Sequence, residues 1–244
     1  MLIIKPFVFN QFPEIIFGFS TKCGSNSEPP YYFNLSYSVG DEKERVDQNR
    51  RMFFEKLGLN ENMVSYQKQV HEDKINFIDT CGSCGESDAL ITNSKNLGLA
   101  ISSADCPAIF IYDPIKKVIA AVHSGWKGTE KQILTKTIRR LSNEFSCSNS
   151  DLICYIGPSI SQKNYEVGEE VAKKFDEQFI LLKENKYYLD LARANFNMLI
   201  SEGVKEKNIR VSKLCSYEYA NLLHSYRRDG IKSGRALGVI AIKE

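Results

Sequence analysis

Few side chains in this sequence can bind a metal or act as a nucleophile, and their placement narrows the chemistry open to them. There are three histidines, His71, His123 and His224, and seven cysteines. His71 closes a strand-like run, VSYQKQVH, and His123 closes another, VIAAVH. Cys106 lies in SADCP, a loop that enters a further apolar run. Loops held by rigid elements commonly carry chemistry, which singles out these three positions. They are separated by 35 and 17 residues, too dispersed for a zinc finger, so only tertiary folding can unite them. One thiolate and two imidazoles form a borderline-soft donor set suited to Zn²⁺. Three protein ligands would leave a fourth position for water or substrate, as catalytic zinc sites do. The bland alternative is three separate, packed core side chains.

The elements that must position them are legible from apolar runs. Residues 97–102, 108–112 and 118–122 are short, apolar and partly β-branched, as buried strands are. Asp113-Pro114 starts a turn between the last two. Thr129 with Gln132 reads as a capping box, and Ile133, Leu134, Thr137, Ile138 and Leu141 give the helix beyond it one apolar stripe. Upstream, 15–20 reads as a strand. Asp41 reads as the cap of a helix to about Leu57 with Val46, Phe53, Phe54 and Leu57 inward, and Gly58 as its stop. Strands are expected over 63–71 and 74–78, with Glu72-Asp73 between them. Downstream, 152–156, 209–214 and 236–242 read as strands, and helices are expected from Gly168 to about Phe179 and from Asp190 through Glu202. Strands and helices interleave without a linker or repeat, so residues 1–244 are expected to form one α/β domain.

Five motifs appear in a fixed order: QVH at 69–71, SADCP at 103–107, HSGWKG at 123–128, IGPSISQKNYEVG at 156–168 and SYRRDG at 225–230. Together they resemble the laccase-domain or polyphenol-oxidase family, the YfiH-like proteins described as purine nucleoside phosphorylases. The resemblance runs from about Phe17 to the C-terminus. It implies a layered α-β-β-α sandwich with a mixed sheet, and zinc held by His71, Cys106 and His123 as the catalytic set. It further implies phosphorolysis of adenosine, inosine and methylthioadenosine, with adenosine deamination as a second activity. Purine nucleosides and phosphate are then the partners. Asn34, which precedes Gly40-Asp41 as in the family, and Arg50, in an Asn-Arg pair, become substrate-binding candidates with Arg227 and Arg228. Arg235 and Lys127 are further cations for phosphate, whose oxygens a guanidinium fork fits. The chain departs from the family at Glu72, where glycine is usual, and at Ser159, where cysteine or alanine is common. Asp88 is either an acceptor behind the site or a strand-start cap. Trp126 either stacks a purine or anchors its loop in the core.

The laccase label fails on supply, since several coppers need many imidazoles and the chain has three histidines. Copper can still enter a zinc site adventitiously, because Cu²⁺ outranks Zn²⁺ in affinity. A different class also fits: a metal-free cysteine hydrolase or deamidase with Cys106 as nucleophile and His123 as base.

Composition bounds the rest. A formal net charge of +2 implies neither nucleic acid nor an acidic membrane surface as partner. No long apolar run reads as a membrane span, and the first residues do not read as a signal peptide. An odd cysteine count without an export signal points to reduced thiols in the cytoplasm. Cys81 and Cys84 form a C-x-x-C in DTCGSCGES, expected to be a Gly/Ser loop with no site role.

Overall fold

The structure is a computed structural model and describes residues 1–24 and 28–244. In chain order its strands are β1 (Ile3–Ile4), β2 (Ile15–Ser20), β3 (Val64–Lys68), β4 (Ile75–Phe77), β5 (Gly82–Glu86), β6 (Ala89–Thr92) and β7 (Gly98–Ser103). They continue with β8 (Ala108–Asp113), β9 (Val118–His123), β10 (Ile153–Ile156), β11 (Glu166–Val167), β12 (Ile180–Lys183), β13 (Lys186–Leu189), β14 (Ile209–Val211) and β15 (Ala236–Ile242). The helices are α1 (Phe7–Asn10), α2 (Lys43–Leu57), α3 (Trp126–Glu130), α4 (Ile133–Phe145), α5 (Glu169–Ala172), α6 (Leu191–Ser201) and α7 (Tyr226–Asp229).

Two six-stranded mixed sheets dominate, in the orders β1-β2-β15-β7-β3-β5 and β14-β10-β8-β9-β6-β4. Alternation along their strands explains the packing, because successive side chains point to opposite faces. Phe17, Phe19, Leu99, Ile101, Ile240 and Ile242 of the first sheet meet Leu90, Phe110, Tyr112, Ile119 and Tyr155 of the second in one buried cluster. The other face of the second sheet, including Ile91, Ile109, Ile111 and Val122, packs on Ile133, Leu134, Ile138 and Leu141 of α4 and on Leu199 of α6. The other face of the first sheet packs Val64, Val239 and Ala241 on Phe53, Phe54 and Leu57 of α2. A third sheet, β11-β13-β12, is small and lies against Trp126 and Tyr165.

Several expectations are corrected. The strand ending in His71 stops at Lys68, and His71 itself sits in a turn at φ 60°. Cys84 lies in β5, an edge strand parallel to β3, rather than in a loop; Cys81 immediately precedes that strand. The helix at 129 is two helices broken at Gln132 (φ 60°), so Thr129 lies inside α3 and no capping box forms. Asp41 does not cap α2; Glu42 holds that place, and Asp41 instead accepts the Glu42 N–H and the Asn34 amide. Gly58 does stop α2, at φ 74°. The helix expected from Gly168 shortens to α5, and a separate 3₁₀ turn begins beyond it where the Asp176 side chain accepts the Gln178 N–H. Among the described residues, no helix is long and apolar enough to cross a membrane.

Candidate metal centre

Strand register brings the candidate ligands together. In the second sheet His123, the last residue of β9, pairs with Ala108, the first of β8. Cys106 stands two residues before Ala108 and so arrives beside His123. On the other flank β6 pairs with β9 through Ala89 and Val122, which places Asp88 next to His123. The turn holding His71 is pinned in two ways. Gln69 brackets the Ser102 backbone, donating to its carbonyl at 2.9 Å and accepting its N–H at 2.8 Å. Asp88 accepts the backbone N–H groups of Val70, His71 and Glu72 at 3.1, 3.1 and 2.9 Å.

The result is one cluster. Ligand atoms of His71, Cys106 and His123 all lie within 4.8 Å of one another. The imidazole rings stand almost perpendicular, with centroids 4.8 Å apart. His123 is buried, Cys106 half-buried and His71 exposed, so the cluster opens to solvent on the His71 side. His123 Nδ1 lies 2.8 Å from Asp88 Oδ1, which fixes the ring and turns Nε2 towards the cluster. Gly125 keeps the approach clear: a Cβ there would stand 2.9 Å from Cys106 Sγ and 3.3 Å from His71 Cδ2.

These groups hold charge as a coupled set. Burial pushes the Cys106 thiol up, but hydrogen bonds and charge from His123 and His71 outweigh it and bring it down to about 6. Burial pushes His123 down, and its bonds to Asp88 and Cys106 lift it to about 9. Thiolate and imidazolium therefore stabilise each other when no cation is bound. A divalent metal would replace that proton, and three converging N/S donors with a solvent-facing opening fit one.

The other candidates fall in different places. Asn34 is fully buried and its side chain is used internally: it donates to Ser36 O and Asp41, and accepts the Ser36 and Arg235 N–H groups. Arg50 is buried on α2, its guanidinium carbon 4.8 and 4.6 Å from the Tyr37 and Tyr66 ring centroids and its Nε 3.1 Å from Glu61. Arg228 ties the C-terminal segment by donating to the carbonyls of Ser216, Tyr217 and Leu223 and to Asp229. Arg227 is exposed, stacks on Tyr165 at 5.0 Å and donates to Glu166 O. Arg235 lies 5.3 Å from the Tyr226 ring. Its Nη1 donates to the Ser233 and Gly234 carbonyls at 2.6 and 3.1 Å, and burial lowers its guanidinium below its ordinary value against the opposing pull of the Asp105, Tyr226 and Cys106 charges. Trp126 packs with Tyr165 and Phe179, which anchors its loop. His224 stands apart, buried against Phe33 O and Gly234.

Sequence reasoning left Gln69, Asp105 and Gly125 without roles, although each lies inside a quoted motif. Nothing in residue type marks Gln69 as a bracket; the bond needs β7 beside it.

Comparison with known proteins identifies the family. Residues 16–243 match the family described as multi-copper polyphenol oxidoreductase laccase. The chain belongs to that family. A purine nucleoside phosphorylase of Bacteroides thetaiotaomicron is 34% identical over 242 residues, covering 91% of this chain and 90% of its own. One from Clostridium acetobutylicum is 37% identical over 225 residues, covering 90% of each. The crystal structure of Bacillus licheniformis hypothetical protein YfiH superposes with a TM-score of 0.91 at 30% identity, covering 96% of this chain and 94% of that one. YlmD from Geobacillus stearothermophilus gives 0.90 at 28%, covering 96% and 93%.

Proposed function

We propose that this chain is a zinc-dependent purine nucleoside phosphorylase acting on adenosine, inosine and methylthioadenosine, with adenosine deaminase activity at the same centre. The observation that carries the reading is the His71–Cys106–His123 cluster backed by Asp88, in a chain whose relatives are named purine nucleoside phosphorylases. We read the fold as one domain over residues 1–244, a layered α-β-β-α sandwich. The seven free cysteines support a reducing, cytoplasmic setting.

His71, Cys106 and His123 would hold the metal, and zinc there supplies Lewis acidity towards an oxygen ligand. Asp88 keeps His123 in the tautomer that ligates and holds the His71 turn still. Arg235, whose guanidinium feels the Asp105 and Cys106 charges, and Arg227, exposed beside Tyr165, are the cations assigned to phosphate. Tyr165 and Tyr226 offer ring faces to a purine. Asn34 and Arg228 are assigned to holding these parts, since their polar atoms are engaged inside the fold, and Arg50 to the α2 side, where it lies between the Tyr37 and Tyr66 rings and pairs with Glu61. In phosphorolysis phosphate displaces the base from C1′, giving adenine and ribose 1-phosphate from adenosine. In deamination water replaces the 6-amino group and ammonia leaves.

A second reading has its own observation. Cys106, His123 and Asp88 also form a thiol–imidazole–carboxylate chain, the arrangement of a metal-free cysteine hydrolase or deamidase. One experiment separates the two: metal analysis of purified protein, with adenosine turnover followed with and without phosphate and chelator. Phosphorylase action gives adenine and ribose 1-phosphate only when phosphate and metal are present. Adenine formed equally fast without phosphate would make the reaction hydrolysis. Turnover that survives complete metal removal would favour the thiol reading.

A further inference from the structure

Between β7 and β8 stands a carboxylate that the proposed reaction does not use. Asp105 immediately precedes Cys106, is only 7% exposed, and holds φ at 95°, a backbone region that residues other than glycine rarely adopt. Such a conformation persists only where the surroundings over-determine it. Here they do. Asp105 Oδ1 accepts the Ser216 hydroxyl at 2.6 Å, Oδ2 accepts the Arg227 N–H at 2.6 Å, and its carbonyl accepts the Ile160 N–H at 2.9 Å. On the far side of the thiol, Ser103 Oγ donates to the Cys106 carbonyl at 2.6 Å. Asp105 does not join the converging ligand atoms, and both its oxygens are engaged by protein donors.

The donors come from distant parts of the chain. Arg227 lies in the first turn of α7, where Ser225 accepts the Arg228 N–H. Asp105 thus completes the cap of the helix that carries Arg227, reaching across 122 residues. Ser216 belongs to the segment whose carbonyls Arg228 clasps. Both carboxyl oxygens are held by short bonds of 2.6 Å from separate parts of the chain, so the two together form a clamp.

We infer that Asp105 is a positioning residue, whose carboxylate aims Cys106 at the two histidines and locks the Arg227 segment to the same loop. Metal ligand and anion-holding segment are then one mechanical unit. This rests on the metal and phosphate reading above.

Cobalt(II) is the probe, because a thiolate bound to it gives a charge-transfer absorption that reports the Cys106 bond directly. Asp105→Gly makes the discriminating variant: glycine accepts φ 95° without strain, so only the clamp is lost. Its Co²⁺ affinity should fall about 10- to 100-fold, the usual cost of removing a ligand's support, with a weaker thiolate band and a raised KM for phosphate. Asp105→Asn should recover most of this, since its amide can accept the Arg227 N–H and donate to Ser216 Oγ. Wild-type affinity and spectrum in Asp105→Gly would overturn the proposal, leaving backbone shape alone as the requirement. An Asn variant as weak as the Gly variant would also overturn it, in favour of charge. Should Asp105→Gly fail to fold, Ser216→Ala decides: a smaller loss of the same kind supports the clamp, and no loss removes it. A wild-type chain giving no thiolate band defeats the metal reading before any variant is compared, and takes the clamp with it.

Discussion

Asp88 and His123 meet twice: the Asp88 carbonyl accepts the His123 backbone N–H at 2.7 Å, and the Asp88 carboxylate lies 2.8 Å from the His123 ring Nδ1. The first contact follows the run of the strands, and the second uses it to orient a side chain. The same carboxylate accepts three N–H groups from the His71 turn, so one residue supports two of the three candidate ligands.

Asp88→Ala should therefore act on metal binding more than a single lost contact would. Removing the partner of a metal-ligating histidine typically costs about 10- to 100-fold in affinity. Here the His71 turn is released as well, so the upper end is expected. Competition against a chromophoric chelator reads the affinity, and urea unfolding reads the accompanying loss of stability. A folded Asp88→Ala protein with wild-type affinity would remove Asp88 from the account.

Cys81 and Cys84 should matter to the sheet edge and not to the metal. Cys84 packs partly buried against the core between the two sheets, while Cys81 is exposed. Replacing both by serine should leave metal content unchanged and lower stability by roughly 1 kcal/mol, the scale of placing a hydroxyl where a thiol packed. Loss of metal in the double variant would mean that the wrong cysteines have been assigned.

A pH prediction follows from His224. Burial, together with the positive charges of Lys22 and Arg235, pushes it down to about 3, against the weaker opposing pull of the Phe33 carbonyl and Asp229. The folded state thus resists a proton that the unfolded chain accepts near its ordinary value of about 6.5. Stability from this group is complete above that value and drains as pH falls towards the folded value. Between pH 7.5 and 5.5 the drain is about 1.4 kcal/mol. His224→Phe, which cannot take up a proton, should lose that much less over the interval, with both proteins kept metal-free by chelator. Equal pH slopes for the two would show that His224 is not held neutral.

How much of this was legible beforehand depended on whether the signal was local. The runs at 15–20 and 236–242 became β2 and β15 with the same bounds, because β-branched apolar residues mark buried strands without help. The hairpin β12–β13 has a local signal of its own: Glu184 and Asn185, both at positive φ, join two short runs with a two-residue turn. The break at Gln132 had no such mark, since Thr129 looks like a cap until its hydroxyl is seen bonded to Ser124 and Gly125. At the site, Cys106 and His123 were readable from their places at strand ends, and Asp88 was readable as one of two alternatives, of which the acceptor behind the site is the one found. Asp105 carried no such mark, because only tertiary folding sets Ser216 and the Arg227 N–H against it. The arginines were the least readable, because Arg227, Arg228 and Arg235 lie within nine residues before β15 and only the folded chain shows which partners each one takes.

The sharpest contrast lies between two of those arginines. The Arg235 guanidinium feels the Asp105 and Cys106 charges, rests near the Tyr226 ring and commits one nitrogen, Nη1, to the Ser233 and Gly234 carbonyls, which leaves its other N–H groups for an anion. The Arg228 guanidinium donates to three carbonyls and Asp229, so it behaves as a clasp. Removing a charge-assisted bond to phosphate costs about 1.5–3 kcal/mol. At about 1.4 kcal/mol per decade, Arg235→Ala should slow phosphorolysis roughly 10- to 150-fold. Adenosine deamination, which needs no phosphate, should be affected far less. Arg228→Ala should instead leave three carbonyls without a donor, lower Tm by several degrees, and reduce both activities together. Initial rates across a phosphate series, beside thermal melts of both variants, separate the two behaviours. If Arg235→Ala lowers deamination as much as phosphorolysis at unchanged Tm, Arg235 serves the purine or the metal rather than phosphate, and Arg227 becomes the remaining cation to test.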